Sequence, residues 1–443
     1  MAQVVALEPR KPQNAKSVFD AHHPPSQELM DDCVHCGFCL PTCPTYLLWH
    51  EEMDSPRGRI YLMRMGAEGG VATMDRKFVD HFDQCLGCMA CMTACPSGVQ
   101  YSPLIESTRA QIERHYKRPF WERLYRRLIF EIFPHPQRLR LALLPLWFYQ
   151  KSGLRWLMRK SGLLRLLPHQ LRSMEALLPE LSLSAFYRPM PRRVAARGTK
   201  RRRVGVLLGC VQRVMFSDAN LATIRVLSKL GCEVIVPPEQ GCCGALMTHT
   251  GREDDAQAAA RKLIEVFERA DVDTVVVNAA GCGSNMKEYG NLLRDDQEWA
   301  ERARNFAGKC RDVTEVIAEL GFGDADFQTT RMTVAYHDPC HLLHAQGVQR
   351  QPRELLQAIP GLEMKELPES QICCGSAGVY NLVEPEPARQ LADRKAQNII
   401  RSGAQALVSA NPGCLLQITS ALQRAGHPMP SMHIVEMLDR SLK

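Results

Sequence analysis

The chain has 443 residues, 45% of them hydrophobic and 23% charged. That length predicts two to four domains, and the composition is that of a soluble globular protein and argues against a disordered chain. The formal net charge of +7 is uneven, because residues 114–203 hold 22 Lys+Arg against 4 Asp+Glu, a net of +18 that leaves −11 for the rest. No run of about 18 apolar residues occurs, so no transmembrane helix is expected. "MAQVVALEPRKPQNAK" carries no charged-then-apolar leader with a cleavage site, so the chain is expected to stay in the cytoplasm. There, 18 cysteines read as metal ligands or catalytic thiols rather than as disulfides.

Residues 25–110 form the first expected domain. "CVHCGFCLPTCP" (Cys33–Pro44) and "CLGCMACMTACP" (Cys85–Pro96) both read C-x2-C-x2-C-x3-C-P, the bacterial ferredoxin spacing for cubane [4Fe–4S] clusters. Each cluster iron takes one soft thiolate, and a tight loop with cysteine at every third residue delivers three of them. The proline after the fourth cysteine turns the chain away and sends that thiolate to the other cluster. One cluster is therefore assigned to Cys33, Cys36, Cys39 and Cys95, and the other to Cys85, Cys88, Cys91 and Cys43. Gly37 and Gly87 let the backbone approach sulfur. Zinc sites bring two CxxC pairs from separate segments, so the single runs disfavour zinc. "EEMDSPRGRIYLMRM" between the motifs has a turn at Pro56 and Gly58, then a helical pattern. Two clusters in a small α-helical domain are expected.

Residues 111–203 hold Leu, Ile, Phe and Trp at helical spacing with Arg between them. Pro134, Pro136, Pro145 and Pro168 are expected to break this segment into short helices. A basic amphipathic segment suits a membrane surface, with Trp121, Trp147 and Trp156 as interfacial anchors. Helices packed on the rest of the protein with a solvated Arg face are the alternative, and the two can coexist. No nucleic-acid motif accompanies the charge, so no nucleic-acid partner is expected. "RRVAARGTKRRR" reads as a linker.

From residue 204 strands alternate with helices, the pattern of an α/β unit with a parallel sheet. Cysteines follow the strands at Cys210, Cys242-Cys243 and Cys282, then again at Cys340, Cys373-Cys374 and Cys414. Cys340 follows Cys210 by 130 residues, Cys373 follows Cys242 by 131, and Cys414 follows Cys282 by 132. "VTEVI" (313–317) and "IVEML" (434–438) also correspond. A near-constant offset marks a duplicated domain, 204–325 and 326–443. Loops at the carboxyl ends of parallel strands face one crevice, so each repeat gathers four thiols at one candidate metal site. Gly244 and Gly375 complete the turns that present adjacent sulfurs. Cys232 and Cys310 fall outside the pattern and read as buried structural cysteines.

Two such ferredoxin motifs followed by two CCG domains resemble the iron–sulfur subunit of glycolate oxidase over roughly residues 25 to 440. "SPRGRI" (55–60), "CCGAL" (242–246), "HDPCHLLH" (337–344) and "NPGCLLQI" (411–418) carry the likeness. The same domains occur in lactate-utilisation proteins, anaerobic glycerol-3-phosphate dehydrogenase and heterodisulfide reductase. The resemblance implies an α+β multidomain electron-transfer subunit. A partner bearing FAD would oxidise glycolate to glyoxylate, and this chain would pass the electrons to quinone at the inner membrane. No G-x-G-x-x-G stands in a strand–helix context, so the flavin is assigned to another subunit and the chain alone is not expected to act on glycolate. The full cysteine-rich pattern ends in CxxC, whereas Asn285 and Gln417 stand at the last positions here. One further iron–sulfur centre, or a degenerate site near a quinone, fits that departure. His249, His337, His341 and His344 lie by the cysteine turns, as quinone proton carriers or as structural histidines. The alternative functions are an iron–sulfur subunit of a lactate or glycerol-3-phosphate dehydrogenase, and a thiol/disulfide redox subunit of the heterodisulfide-reductase type.

Overall fold

A computed structural model describes residues 16–443 apart from 72, 167–168, 179, 181–185, 187–188 and 324–325; residues 1–15 and Pro168 thus lie outside the described residues. The chain divides into two compact units, one of residues 16–87 and 91–117 and the other of residues 88–90 and 118–443. No helix among the described residues is long and apolar enough to cross a membrane.

The first unit is helical. Its longer helices are Pro56–Ala67, Arg76–Asp83 and Tyr101–His115. Ser55 caps the first of them, its hydroxyl accepting from the Gly58 amide at 3.0 Å, and Pro56 takes the first-turn position whose amide needs no partner. Gly58 is required by space: a Cβ there would lie 1.9 Å from the Glu52 carbonyl oxygen. This is why "SPRG" rather than a generic turn stands between the two cysteine motifs. Asp75 caps the helix Arg76–Asp83 through the Phe78 amide. Met30, Ile60, Met63, Phe82, Leu104 and Ile105 are almost fully buried and form the core.

The second unit opens with helices Phe120–Ile132, Pro136–Lys151, Leu154–Lys160 and His169–Leu177. Pro134 separates the first two and Pro136 starts the second, as expected. Pro145 does not end a helix: it sits inside Pro136–Lys151. Its ring removes one backbone hydrogen bond. Leu143 before it and Trp147 after it both pack into one cluster with Leu139 and Val214, which holds the two halves in one helix. Trp147 is accordingly packed rather than exposed, unlike Trp121 and Trp156, which are 75% and 64% exposed.

Two sheets follow. In the first, strands β1 (Arg193–Val194), β2 (Arg202–Val206), β3 (Cys232–Ile235), β4 (Thr274–Val277) and β5 (Cys310–Asp312) lie in the order β1-β3-β2-β4-β5. In the second, β6 (Met332–His337), β7 (Leu362–Lys365), β8 (Ala406–Ser409) and β9 (Ser431–His433) lie in the order β7-β6-β8-β9. All pairings are parallel except that of β1 with β3. In each sheet the chain leaves the central strand to one side and returns on the other, so a topological switch point falls between β2 and β4 and again between β6 and β8. One continuous core joins the sheets and includes Val204, Val234, Val334 and Val408. Across it, helix Ser217–Lys229 packs on helix Ile434–Ser441, with Arg225 paired to Asp439 at 2.6 Å. Cys232 and Cys310 are fully buried within these cores.

Gly244 and Gly375 close the two CCG turns with φ of +83° and +86°. A Cβ at Gly375 would also stand 2.4 Å from the Ala388 carbonyl oxygen, against 3.2 Å from the Ala256 carbonyl oxygen for Gly244. Positive φ alone costs a side chain about 1–3 kcal/mol. Gly375→Ala is therefore expected to lower the unfolding midpoint in denaturant more than Gly244→Ala. Equal effects would show that the close approach at Ala388 is readily relieved.

Candidate functional site

In the first unit the loop that carries Cys33, Cys36 and Cys39 bends through two left-handed residues, His35 and Gly37, at φ of +54° and +89°. This folds the loop around a small cavity lined by Cys33, Cys36, Cys39, Cys91 and Cys95 together with Arg57 and Tyr101. Arg57 fixes the loop: its guanidinium donates to the His35 carbonyl at 2.9 Å and pairs with Glu52 at 2.6 Å. Burial pushes the Cys39 thiol up to about 11.

Cys43 and Cys85 stand in different surroundings, around Arg59. The Cys43 sulfur lies 3.2 Å from the Thr45 hydroxyl and 3.6 Å from the Asp54 carbonyl. The Arg59 guanidinium donates to that same hydroxyl at 3.1 Å, to that same carbonyl, and to the His81 carbonyl. The Cys85 sulfur accepts from the Gly87 amide at 3.4 Å and lies 3.7 Å from the Tyr101 hydroxyl. Burial works to raise the Cys85 thiol, but the Arg59 and Arg109 charges outweigh it and hold the thiol below its ordinary value. Arg59 is only 1% exposed, yet four oxygens satisfy it, so it is a fixed positive charge between two predicted ligands. Cys88, the remaining predicted ligand, is buried.

In the second unit all eight repeat cysteines open on one apolar cleft of about 2380 Å³, counting its mouth. The strand ends place them. Cys210 and Cys340 follow β2 and β6, and Cys282 and Cys414 each take the third position of a helix, Ala280–Lys287 and Pro412–Arg424, that follows β4 and β8. The four flank the two switch points, and helix N-termini there favour thiolate charge. The two CCG turns complete the sets. Cys210 and Cys242 have sulfurs 3.5 Å apart, and Cys340 and Cys373 3.9 Å apart. A disulfide needs about 2.05 Å, and all of these cysteines are free. Hydrogen bonding to a neighbouring sulfur, with burial next, pushes Cys210, Cys373 and Cys414 well above the ordinary thiol value. Crowded, buried thiols of this kind become thiolates when a cation joins them, and the spacing suits one: two thiolates on one tetrahedral ion at about 2.3 Å lie roughly 3.8 Å apart. The donor set thus fits a soft metal centre.

Helices Pro136–Lys151 and His169–Leu177 wall the cleft with Leu139, Leu143, Leu146 and Met174. Helix His169–Leu177 is anchored to the second repeat by the Ser420 hydroxyl, which donates to the Ala176 carbonyl at 2.8 Å, and the preceding helix Phe120–Ile132 by the Tyr125 hydroxyl, which donates to the Leu382 carbonyl at 3.1 Å. His249 and His341 reach the cleft, their rings edge to face with centroids 4.8 Å apart, and Ser284 lies 2.8 Å from His341 Nδ1. The other two histidines do not line it. His344 faces the Gln371 carbonyl at 3.1 Å. His337, 1% exposed, lies instead among the sulfurs of the second repeat.

Asn285 and Gln417 do structural work. The Asn285 amide donates to the Cys243 carbonyl at 2.8 Å, as does the Tyr289 hydroxyl at 2.6 Å. The Gln417 amide donates to the Ala388 carbonyl and accepts from Asn381, each at 3.0 Å. Asn285 thus braces the first CCG turn directly, and Gln417 holds Ala388, the residue packed against Gly375 of the second.

Family models match over most of the chain: a 4Fe-4S dicluster domain over residues 29–99, the linker region of the glycolate oxidase iron-sulfur subunit over 121–178, and a cysteine-rich domain over 204–287 and again over 334–419. The chain is 42% identical over 422 residues to the probable glycolate oxidase iron-sulfur subunit of Bacillus subtilis (strain 168), covering 93% of this chain and 95% of that protein. It is 35% identical over 423 residues to the glycolate oxidase iron-sulfur subunit of Escherichia coli (strain K12), covering 94% and 95%. Lactate utilization protein A of Exiguobacterium sp. matches at 33% identity over 54% of this chain and 98% of that protein.

Removing the guanidinium of Arg59 would strip hydrogen bonds from three carbonyls or hydroxyls and leave the Asp54 carboxylate, 7% exposed, without its 3.3 Å partner. Arg59→Met is therefore expected to destabilise the first unit by about 3–5 kcal/mol and to lower its bound iron. Unchanged chemical denaturation and full iron content would show that Arg59 is dispensable.

Proposed function

The chain belongs to the glycolate oxidase iron–sulfur subunit family, and we propose that it carries electrons from a flavin-bearing partner, where glycolate becomes glyoxylate, to a quinone. It is an iron–sulfur subunit of a hydroxy-acid oxidation complex. Glycolate is preferred over lactate because the relatives named for glycolate oxidase match the chain nearly end to end, whereas the lactate relative covers 54% of it.

Bound iron–sulfur clusters supply one-electron transfer, so a flavin must stand upstream to split the electron pair of the hydroxy acid. Cys33, Cys36, Cys39 and Cys95 would hold one [4Fe–4S] cluster, and Cys85, Cys88, Cys91 and Cys43 the other. Two features support this crossed assignment. The first three cysteines share their cavity with Cys95, at a boundary where Cys91 of the other set also stands, while Cys43 and Cys85 share Arg59. Cys210, Cys242, Cys243 and Cys282, with Cys340, Cys373, Cys374 and Cys414, would hold a further metal centre at the cleft.

The observation that carries the quinone reading is the cleft itself. It joins an apolar wall to eight thiols and to two histidines, His249 and His341, able to hand a proton to a reduced ring oxygen. Its helical wall also presents apolar surface outward. Among the described residues 17 large hydrophobic side chains are exposed, and 14 of them fall between Phe120 and Leu171, Leu146 and Leu171 at the cleft and the rest in a patch set among arginines. Such a patch suits the head-group boundary of an anionic bilayer, from which a quinone would enter.

The complex with its flavin subunit should reduce a quinone analogue with glycolate, and the isolated chain should not. Cys95→Ser should remove about four irons per chain and abolish that reduction. Turnover by the isolated chain, or zinc in place of iron, would overturn the reading. In a separate test, the full chain should sediment with anionic phosphatidylglycerol vesicles, and Trp121→Ser with Trp156→Ser should lower the bound fraction several-fold, with little effect on neutral phosphatidylcholine vesicles. Equal binding by the variant would place the membrane contact elsewhere.

A further inference from the structure

The two repeats correspond in the positions of their cysteines but not in what stands beside them. His337 ends β6, three residues before Cys340; at the matching place before Cys210 stands Leu207. Leu207 is buried in an ordinary apolar cluster with Leu263 and Val275. His337 is equally buried, at 1% exposed, and its imidazole faces sulfur, interacting with the Cys374 thiol. One ring nitrogen and the sulfurs of Cys374 and Cys414 lie within 4.8 Å of one another. A buried imidazole set beside two thiols offers a nitrogen donor to whatever soft metal those thiols take. The strand fixes its position: its carbonyl accepts from the Ser409 hydroxyl at 3.1 Å on the neighbouring β8.

We propose that His337 is a metal ligand and that the second repeat alone holds a mixed His/Cys iron centre, with one imidazole nitrogen beside the Cys374 and Cys414 thiolates and Cys340 and Cys373 nearby. The proposal rests on the reading of the repeat cysteines as metal ligands and adds the nitrogen to it. Gln417, at the position of the missing fifth cysteine, is already engaged with Ala388 and Asn381, so the imidazole supplies the donor that the pattern lacks. The first repeat, with Leu207, has no such substitute. Iron suits the set because imidazole and thiolate together satisfy it. Replacing thiolate by imidazole also raises an iron–sulfur potential, which would make this centre the most oxidising of the chain and the natural last stop before the cleft. On binding, the two thiols release their protons to solvent and the neutral imidazole gives up none.

The test uses the full chain, purified without oxygen and labelled with 15N-histidine, read by pulsed EPR and by metal analysis. A histidine nitrogen bonded to a paramagnetic iron centre is expected in the native chain. It should vanish in His337→Cys, which restores a soft donor and should retain the iron. His337→Ala should lose the iron of that one centre while the ferredoxin-type signals keep their full intensity. Leu207→Ala, the control in the first repeat, should leave the nitrogen coupling intact. Iron beyond about eight per chain with no histidine coupling, or coupling that survives in His337→Cys, would overturn the ligand assignment and leave the cysteine reading standing. Iron of about eight per chain and no more would overturn the cysteine reading and this proposal with it. Zinc at His337, seen by X-ray absorption, would overturn the iron assignment.

Discussion

Sulfurs packed 3.5–3.9 Å apart in a buried site are the constraint on which the second unit depends. Thiols that crowded cannot ionise together, and as neutral groups they make only weak hydrogen bonds. The fold nevertheless brings four of them to each switch point, shapes both turns with a positive-φ glycine, and ties the first turn with the buried Asn285 amide. Ordinary core packing would call for none of these. The arrangement becomes favourable when a cation neutralises the thiolates, so metal binding and the stability of these turns are coupled.

The first unit meets a related problem with a different device. Its two cysteine loops are short and carry little apolar weight, so positively charged side chains tie them down. Arg57 pins the first loop by its His35 carbonyl, Arg109 pins the second by the Phe82 and Cys85 carbonyls, and Arg59 lies between Cys43 and Cys85. Each guanidinium is hydrogen-bonded to backbone oxygen, which makes its charge affordable in the interior. The same charges offset the negative charge that thiolate ligands bring, and they depend on Gly58, whose missing side chain lets the helix of Arg57 and Arg59 close on Glu52.

Much of this was legible in the sequence. The ferredoxin spacing, the duplication and the strand-to-cysteine order are local or periodic signals, and the fold follows them. Three features were not legible, for physical reasons. Pro145 sits inside a helix because Leu143 and Trp147 pack on both sides of it, and tertiary packing of that kind leaves no trace in a propensity. Trp147 was grouped with Trp121 and Trp156 because composition cannot tell an inward face from an outward one. The four histidines near the cysteine turns looked alike in sequence; only β6 directs His337 to sulfur, while His249 and His341 reach the cleft and His344 does not.

The linker helices explain why the hydrophobic pattern of residues 120–171 was ambiguous. A helix that covers a core needs one apolar stripe. Here the helices wall a cleft with the buried Leu139 and Leu143 while Leu141, Leu144 and Phe148 of the same helix are exposed. Apolar residues on both faces blur the period, and the arginines between them read as a solvated surface. The two faces are linked in purpose if the cleft receives a lipophilic acceptor. A channel lined by leucine and ending at thiols is useless to a molecule that must cross water to reach it, and an outward apolar patch on its wall removes that crossing. A segment built only to connect two domains would keep its inner stripe and replace the outer one with polar residues.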